Sequence, residues 1–341
     1  MPSHVLSNCI AGLLVIGSGA LAWRLKDDEI WREAGRDLWR RRSVALSILA
    51  LFTLIALFDS VAWVGGDHSA ELRDVMALHT PRTLIDRLFP VDFQERSYSA
   101  PLAGHEFYGE EPLRHPGRHL LGTDILGRDI LRLTLKGARV ALLIGGFTSL
   151  IVIPLALVFG MTAGYFGRRI DDAVFFLIST LASMPGLLLL IALIMVLGRG
   201  TVQVCLALGV TSWVGFCRVV RGETLKLREL DYVLAARALG ASHGRILLRH
   251  ILPNLVHLVV ITFVLLFSGL VLSEAILSWL GIGIDGSWGQ MIDQARDELS
   301  REPVIWWNIS AASTALFTLI LTVNVVGDAV RDILDPRTRI E

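Results

Sequence analysis

Five stretches of this chain, Val140 to Phe166, Ala173 to Gly198, Gly200 to Cys217, Ile251 to Ser273 and Val304 to Gly327, each run 18 residues or longer without one Asp, Glu, Lys or Arg. Crossing a bilayer core of about 30 Å takes roughly 20 apolar residues as a helix, because hydrocarbon offers an unpaired amide no partner. The five stretches therefore predict membrane-spanning helices. Ser43 to Val64, interrupted only by Asp59 near one end, predicts a sixth, and Val5 to Trp23 fits an extra N-terminal one. The expected class is an all-α polytopic membrane protein; at 53% hydrophobic and 19% charged, the chain lies outside the range of ordinary soluble domains.

Charge beside the spans sets their direction, because segments rich in Lys and Arg stay on the cytoplasmic side. Residues 24–42 carry Arg24, Lys26, Arg32, Arg36, Arg40, Arg41 and Arg42, and residues 218–252 carry Arg218, Arg221, Lys226, Arg228, Arg237, Arg245 and Arg249. Both segments are expected inside. Alternation then places 167–172 and the tail from Arg331 inside, and 65–139, the corner at Arg199 and 281–303 outside. The run from Val5 has no Lys or Arg before it and two soon after it, so as a retained helix it has its amino end outside. Ala20-Leu21-Ala22 also matches a signal cleavage site, and a misplaced start is a third reading. The expected organisation is an N-terminal helix and basic linker in residues 1–42, a span in 43–64, an outer loop in 65–139, a helical core in 140–330 carrying the cytoplasmic segment 218–253, and a tail in 331–341.

Positive and negative charges balance, 32 Lys and Arg against 32 Asp and Glu, which gives nucleic acid no electrostatic footing. Cys9, Cys205 and Cys217 lie in apolar runs with no CxxC pair, so neither a disulfide nor a zinc site is expected. The chain has no Gly-x-x-x-x-Gly-Lys-Ser/Thr phosphate loop and no His-Glu-x-x-His pair. It is expected to be no enzyme, to hold no cofactor of its own, and to leave any nucleotide to another protein. His68, His79, His105, His115 and His119 fall in the outer loop, where a helix from His68 to Leu88 is predicted. His115 and His119 are four apart, but Pro116 and Gly117 break the helix that would align them, and no metal site is expected.

Within the spans, Pro154 and Pro185 each remove a helical hydrogen bond and predict kinks, either as packing adjustments or as hinges shaping a central cavity. Glu274 interrupts an apolar run; it is a structural or interfacial group, or a lining of a solute path. Asn324 suits an interhelical hydrogen bond.

The segment from Arg218 to Pro253 is too polar to span, yet Tyr232 to Leu239 and His243 to Leu252 are good helix material. Two short helices are expected, joined at Gly240, with Asp231 capping the first and Ser242 the second. Ala235 and Ala236 leave the first helix nearly bare, so another protein can approach its backbone. Arg245 and Arg249, four apart, face one way and suit acidic groups on a partner. A basic hairpin lying on the membrane surface fits the same residues.

Ala235-Ala236, then Gly240, then Leu252-Pro253 resembles the cytoplasmic loop of type I ABC importer permeases, whose pattern is Glu-Ala-Ala-x-x-x-Gly, nine residues, Ile-x-Leu-Pro. Leu234 stands where that pattern has Glu, and His250 where it has Ile. His119-Leu120-Leu121-Gly122-Thr123-Asp124 with Gly127-Arg128-Asp129, and Gly137-Ala138-Arg139 after it, is similar to the segment before the core in the dipeptide, oligopeptide and nickel branch of that family. Ser278-Trp279-Leu280-Gly281-Ile282-Gly283 with Trp288-Gly289, and the ending Gly327-Asp328, Arg331-Asp332, Asp335-Pro336, continue the likeness. The resemblance implies a permease of about six spans in a bacterial inner membrane, paired with a second homologous permease. It also implies two ATPase subunits holding ATP and magnesium, docked on the loop at 231–253, and a periplasmic or lipid-anchored solute-binding protein docked on the other side. The implied cargo is a peptide or related small solute. A secondary transporter or channel is the rival, but such proteins usually carry acidic or basic groups at mid-membrane, and five of these spans have no Asp, Glu, Lys or Arg.

Overall fold

The computed structural model describes residues 29–60, 62–63, 82–89, 94–109, 111–198 and 200–334. The run Val5 to Trp23, the corner at Arg199 and the Asp335-Pro336 ending lie outside the described residues. The chain is built from helices: α1 (Glu29–Ser60, kinked at Arg42), α2 (Leu84–Leu88), α3 (Ile130–Phe166), α4 (Arg168–Ser183), α5 (Gly186–Leu197), α6 (Thr201–Leu227), α7 (Asp231–Ala238), α8 (His243–Trp279), α9 (Trp288–Glu298) and α10 (Trp307–Leu334). Two-residue strands, β1 (Ala62–Trp63) and β2 (Arg82–Thr83), pair antiparallel.

Five helices are long and apolar enough to cross a membrane, Arg42–Ser60 within α1 and then α3, α6, α8 and most of α10; α4 and α5 pass the same test only as a pair, which is bent by 91° and has the form of a broken span or a re-entrant loop. Five of the six predicted spans are therefore matched by single helices, and the remaining one needs correction. Ala173 to Gly198 is not a kinked helix but a broken one: Met184, pressed by the ring of Pro185, is extended at φ −90°, ψ 139°, as residues before proline tend to be. Pro154, by contrast, lies inside the unbroken α3. The 37 residues of α3 rise roughly 55 Å, well beyond the bilayer core. The predicted helix from His68 to Leu88 lies outside the described residues up to 81; over its last part, Arg82–Thr83 is strand instead and Leu84–Leu88 is helix, capped by a reciprocal bond between Thr83 and Asp86.

The chain divides into two compact units, residues 1–143 with 272–323, and residues 144–271 with 324–341. In the first unit, residues 94–129 fold as a hydrogen-bonded cap. The Glu95 carboxylate accepts the backbone N–H groups of Arg114 and His115, both at 2.9 Å. Asp124 accepts those of Leu126 and Arg128, and Asp129 accepts those of Leu131 and Arg132, which caps α3. Gly122 and Gly127 turn at positive φ where a side chain would strike the backbone of Ser99 and Glu95 respectively. Two indoles pin the cap from far along the chain, Trp307 Nε1 donating to the Thr123 carbonyl at 3.0 Å and Trp288 Nε1 to that of Thr134 at 2.8 Å. Beside it Asp86 gathers Arg132 and Lys136. Burial works to raise the Asp86 carboxyl, but the two cations and the Thr83 backbone outweigh it and hold it down to about 2.

His119 is 2% exposed, between Asp129 (Nδ1 to Oδ2, 2.8 Å) and Glu95 (Nε2 to Oε1, 3.5 Å). Burial disfavours its charge, yet the two carboxylates win and its pKa is raised above the ordinary 6.5. A histidine whose folded pKa is raised contributes stability that is complete below its unfolded pKa and lost as pH climbs through the folded one. Hydrogen exchange of amides in 94–129 should therefore quicken as pH rises from about 6.5, after correction for the intrinsic rate. In His119→Gln that pH dependence should vanish.

The second unit has a continuous apolar core in which Val152, Ala156, Met161 and Tyr165 of α3 meet Val174 and Ile178 of α4 and Trp213, Phe216, Cys217 and Val220 of α6. Gly160 and Gly164 put two turns of α3 directly on α6. A Cβ at Gly160 would stand 2.7 Å from Val220 Cγ1 and 2.9 Å from the Cys217 carbonyl, and one at Gly164 2.8 Å from the Arg221 carbonyl.

Candidate functional site

The hairpin joining α6 to α8 belongs to the second unit. Val233 of α7 and Ile246, Ile251 and Leu255 of α8 are each 0% exposed and join its core. This settles which face is turned inward and leaves the other bare.

Gly240 ends α7 at φ +80°. Its N–H donates to the Arg237 carbonyl at 3.0 Å and that of Ala241 to the Ala236 carbonyl at 3.1 Å, the paired closure of a Schellman turn. No heavy atom lies within 4 Å of where a Cβ at Gly240 would stand, so glycine is required here for its conformation, not for space. Two expectations at this site need correcting. Asp231 is the first helical residue of α7 rather than its cap, which is Leu230; its carboxylate still sits at the favourable end of the helix dipole. Ser242 does occupy the cap position of the second helix, but its hydroxyl makes no capping bond.

The second helix is also not a separate short one. His243–Ile246 runs through a single π-type turn, Leu247–Ile251, straight into the membrane helix. The wide turn precedes Pro253, which has no N–H to give. Asn254 fits beside it, its side-chain amide donating to the His250 carbonyl at 2.6 Å and to the Tyr232 hydroxyl at 3.2 Å. That second bond ties the two arms of the hairpin together. Leu252 is partly buried and Pro253 exposed.

On the bare face lie Ala235, Gly240, Arg245 and Arg249, with Ala236 half-buried beside them. Leu239 is 88% and Leu248 66% exposed. Leu234, standing where the resembling loops have Glu, is on this face as well. Among the described residues no ion pair is found for Arg245 or Arg249. A surface of arginines among exposed leucines, on a rigid turn with its back in the core, is suited to insertion into a protein groove that offers carboxylates and apolar wall together.

The remaining candidates are scattered. Pro154 and Pro185 are both exposed. Asn324 accepts a bond from Ser268 Oγ at 3.2 Å, joining α10 to α8. Glu274 is 3% exposed and belongs to the first unit, where Ser278 donates to it and shares a 3.0 Å contact with Ser287. These place Glu274 in a buried knot at the end of α8, not on an open wall. No cluster of His, Cys, Asp and Glu able to hold a metal ion occurs among the described residues, and His119 is engaged in the carboxylate pair above. Sequence reading missed Gly160 and Gly164, though their spacing of four is visible, and missed α9, whose start at Ser287 and Trp288 is a legible cap.

Residues 156–340 match the family described as the binding-protein-dependent transport system inner membrane component. The chain is 36% identical to the dipeptide transport system permease protein of Bacillus subtilis, over 67% of this chain and 72% of that one. It is 36% identical to the glutathione transport system permease protein of Pectobacterium atrosepticum, over 65% of this chain and 73% of that one. The oligopeptide transport system permease protein of Haemophilus influenzae matches at 27% identity across 93% of this chain and 91% of its own length. Among solved structures, the inward-facing methionine ABC transporter MetNI aligns with a TM-score of 0.50 at 20% identity, over 60% of this chain and 98% of that chain, which shows a shared fold.

Proposed function

The chain belongs to the family of binding-protein-dependent transport inner membrane components and is an inner-membrane permease subunit of a bacterial ABC importer, and from that premise we propose that it forms half of a pathway for short peptides, driven through the hairpin at 231–253. The other half is a second, homologous permease. Two ATPase subunits hold ATP and magnesium and seat the hairpin; a periplasmic or lipid-anchored solute-binding protein delivers cargo to the opposite side. The chain itself does no covalent chemistry and holds no cofactor. The observation that carries this reading is the hairpin: a glycine-closed turn whose inner face is fixed in the core and whose outer face presents Arg245, Arg249 and bare leucines. Peptide cargo is supported by the dipeptide, oligopeptide and glutathione transporters among the relatives.

Reconstitution in liposomes tests it. Uptake of a labelled dipeptide should require ATP, both ATPase subunits, the second permease and the binding protein, and should stop when any one is left out. Uptake by this chain alone under an ion gradient would overturn the reading in favour of a secondary transporter.

A further inference from the structure

At the root of the hairpin, Tyr165 stands in the crook between its two arms. It is the last residue but one of α3 and only 5% exposed. Its hydroxyl and His243 Nδ1 are hydrogen-bonded at 2.9 Å, and His243 is the first residue of α8. From the other arm the guanidinium carbon of Arg237, in the last turn of α7, lies 5.2 Å from the centre of the Tyr165 ring, within the range of a cation–π attraction. Phe166 closes the cluster, its ring centre 5.5 Å from that of His243.

These contacts differ in kind from the rest of the hairpin's packing. The apolar side chains behind α7 and α8 make many small, non-directional contacts. A hydrogen bond and a ring–cation contact made by one side chain to both arms fix distance and angle together. The end of α3 is also fastened to α6, where Arg228 Nη1 donates to the Gly164 carbonyl at 2.9 Å. A displacement of the Gly240 turn therefore reaches Tyr165 from either arm, and through Tyr165 the end of α3, the helix that contains Pro154.

We infer that Tyr165, gripped by His243 and Arg237, is the joint through which motion of the hairpin is passed to α3, making these three positioning residues for transport coupling. The inference rests on the importer reading above and adds to it the member that receives the stroke.

The test uses the complete importer with its binding protein in liposomes, counting dipeptide molecules imported per ATP hydrolysed. Tyr165→Phe keeps the ring, its packing and the Arg237 contact but deletes the hydroxyl. His243→Ala deletes its partner, and His243→Gln restores a hydrogen-bonding side chain. Assembly and ATP hydrolysis should persist in all three. Peptide imported per ATP should fall about fivefold in Tyr165→Phe and in His243→Ala, the ratio one net hydrogen bond sustains. The double variant should fall no further, and His243→Gln should recover most of the loss. Unchanged peptide per ATP in both single variants would overturn the inference, as would loss of assembly in Tyr165→Phe, since the tyrosine would then be a structural post. Wild-type complex that carries no peptide would count against the importer reading instead, so the two failures are distinguishable.

Discussion

Gly240→Asp should leave the protein folded and in the membrane while peptide uptake falls by about an order of magnitude, roughly 1.4 kcal/mol of lost coupling. The folded state tolerates the change because a Cβ at this position meets no atom within 4 Å. What remains is the cost of holding a non-glycine residue at φ +80°, about 1–2 kcal/mol for most side chains and less for Asp, whose short polar group bonds locally. The damage falls on docking. On the proposed docking, a carboxylate at the tip of the turn would face the acidic groups that Arg245 and Arg249 suit, and any relaxation of the turn would tilt α7 on its buried Val233. Uptake and ATP hydrolysis measured on one preparation check this: uptake should fall while hydrolysis continues. Gly240→Asn, with the same shape and no charge, should retain most uptake if charge is the cause and lose it equally if the backbone is. Full uptake by Gly240→Asp would remove the hairpin from the coupling path.

The spans and the turn at Gly240 were legible in the sequence because each depends on forces local to its own residues. A run such as Val140 to Phe166 must be a helix wherever it meets lipid, and Gly240 ends α7 whatever lies around it. Legibility failed where a partner comes from far along the chain. His115 and His119 invited a metal reading by their spacing, yet the partners of His119 are Asp129, ten residues on, and Glu95, twenty-four residues back. The Gly-Thr-Asp segment at 122–124 carries the family likeness, but nothing local shows that it exists to seat Trp307. Glu274 had no readable depth, because Ser278, one turn on, is only half of its serine pair, and the other half, Ser287, lies beyond the helix end. The angle at Pro185 was hidden for a different reason: a proline announces a missing hydrogen bond, not how far the two halves swing apart once neighbouring helices hold them.

Gly160 and Gly164 bear a structural load that one substitution can test. Lipid tails are as apolar as leucine, so two helices gain little from hiding apolar surface against each other; close van der Waals packing and interhelical bonds must hold them. At these glycines α3 approaches α6 near enough for backbone to face backbone, the Cys217 and Arg221 carbonyls lying 2.9 and 2.8 Å from the positions of the missing Cβ atoms. A carbonyl cannot rotate away as a side chain can. Gly160→Leu must therefore push the helices apart, undoing the packing around Val220 and weakening the Arg228 bond to the Gly164 carbonyl that helps hold the end of α3 beside the hairpin. Overpacking of this kind costs about 1–3 kcal/mol, and the backbone contact puts Gly160 at the upper end. The midpoint of denaturation of the purified chain in detergent should drop accordingly. Gly215→Leu on α6, where nothing lies within 4 Å of the added atom, should leave the midpoint in place, its better helix propensity offsetting any small loss. Equal midpoints for the two variants would mean that the helices are held by something other than their closest approach, and the stiff connection from hairpin to membrane would lose its physical basis.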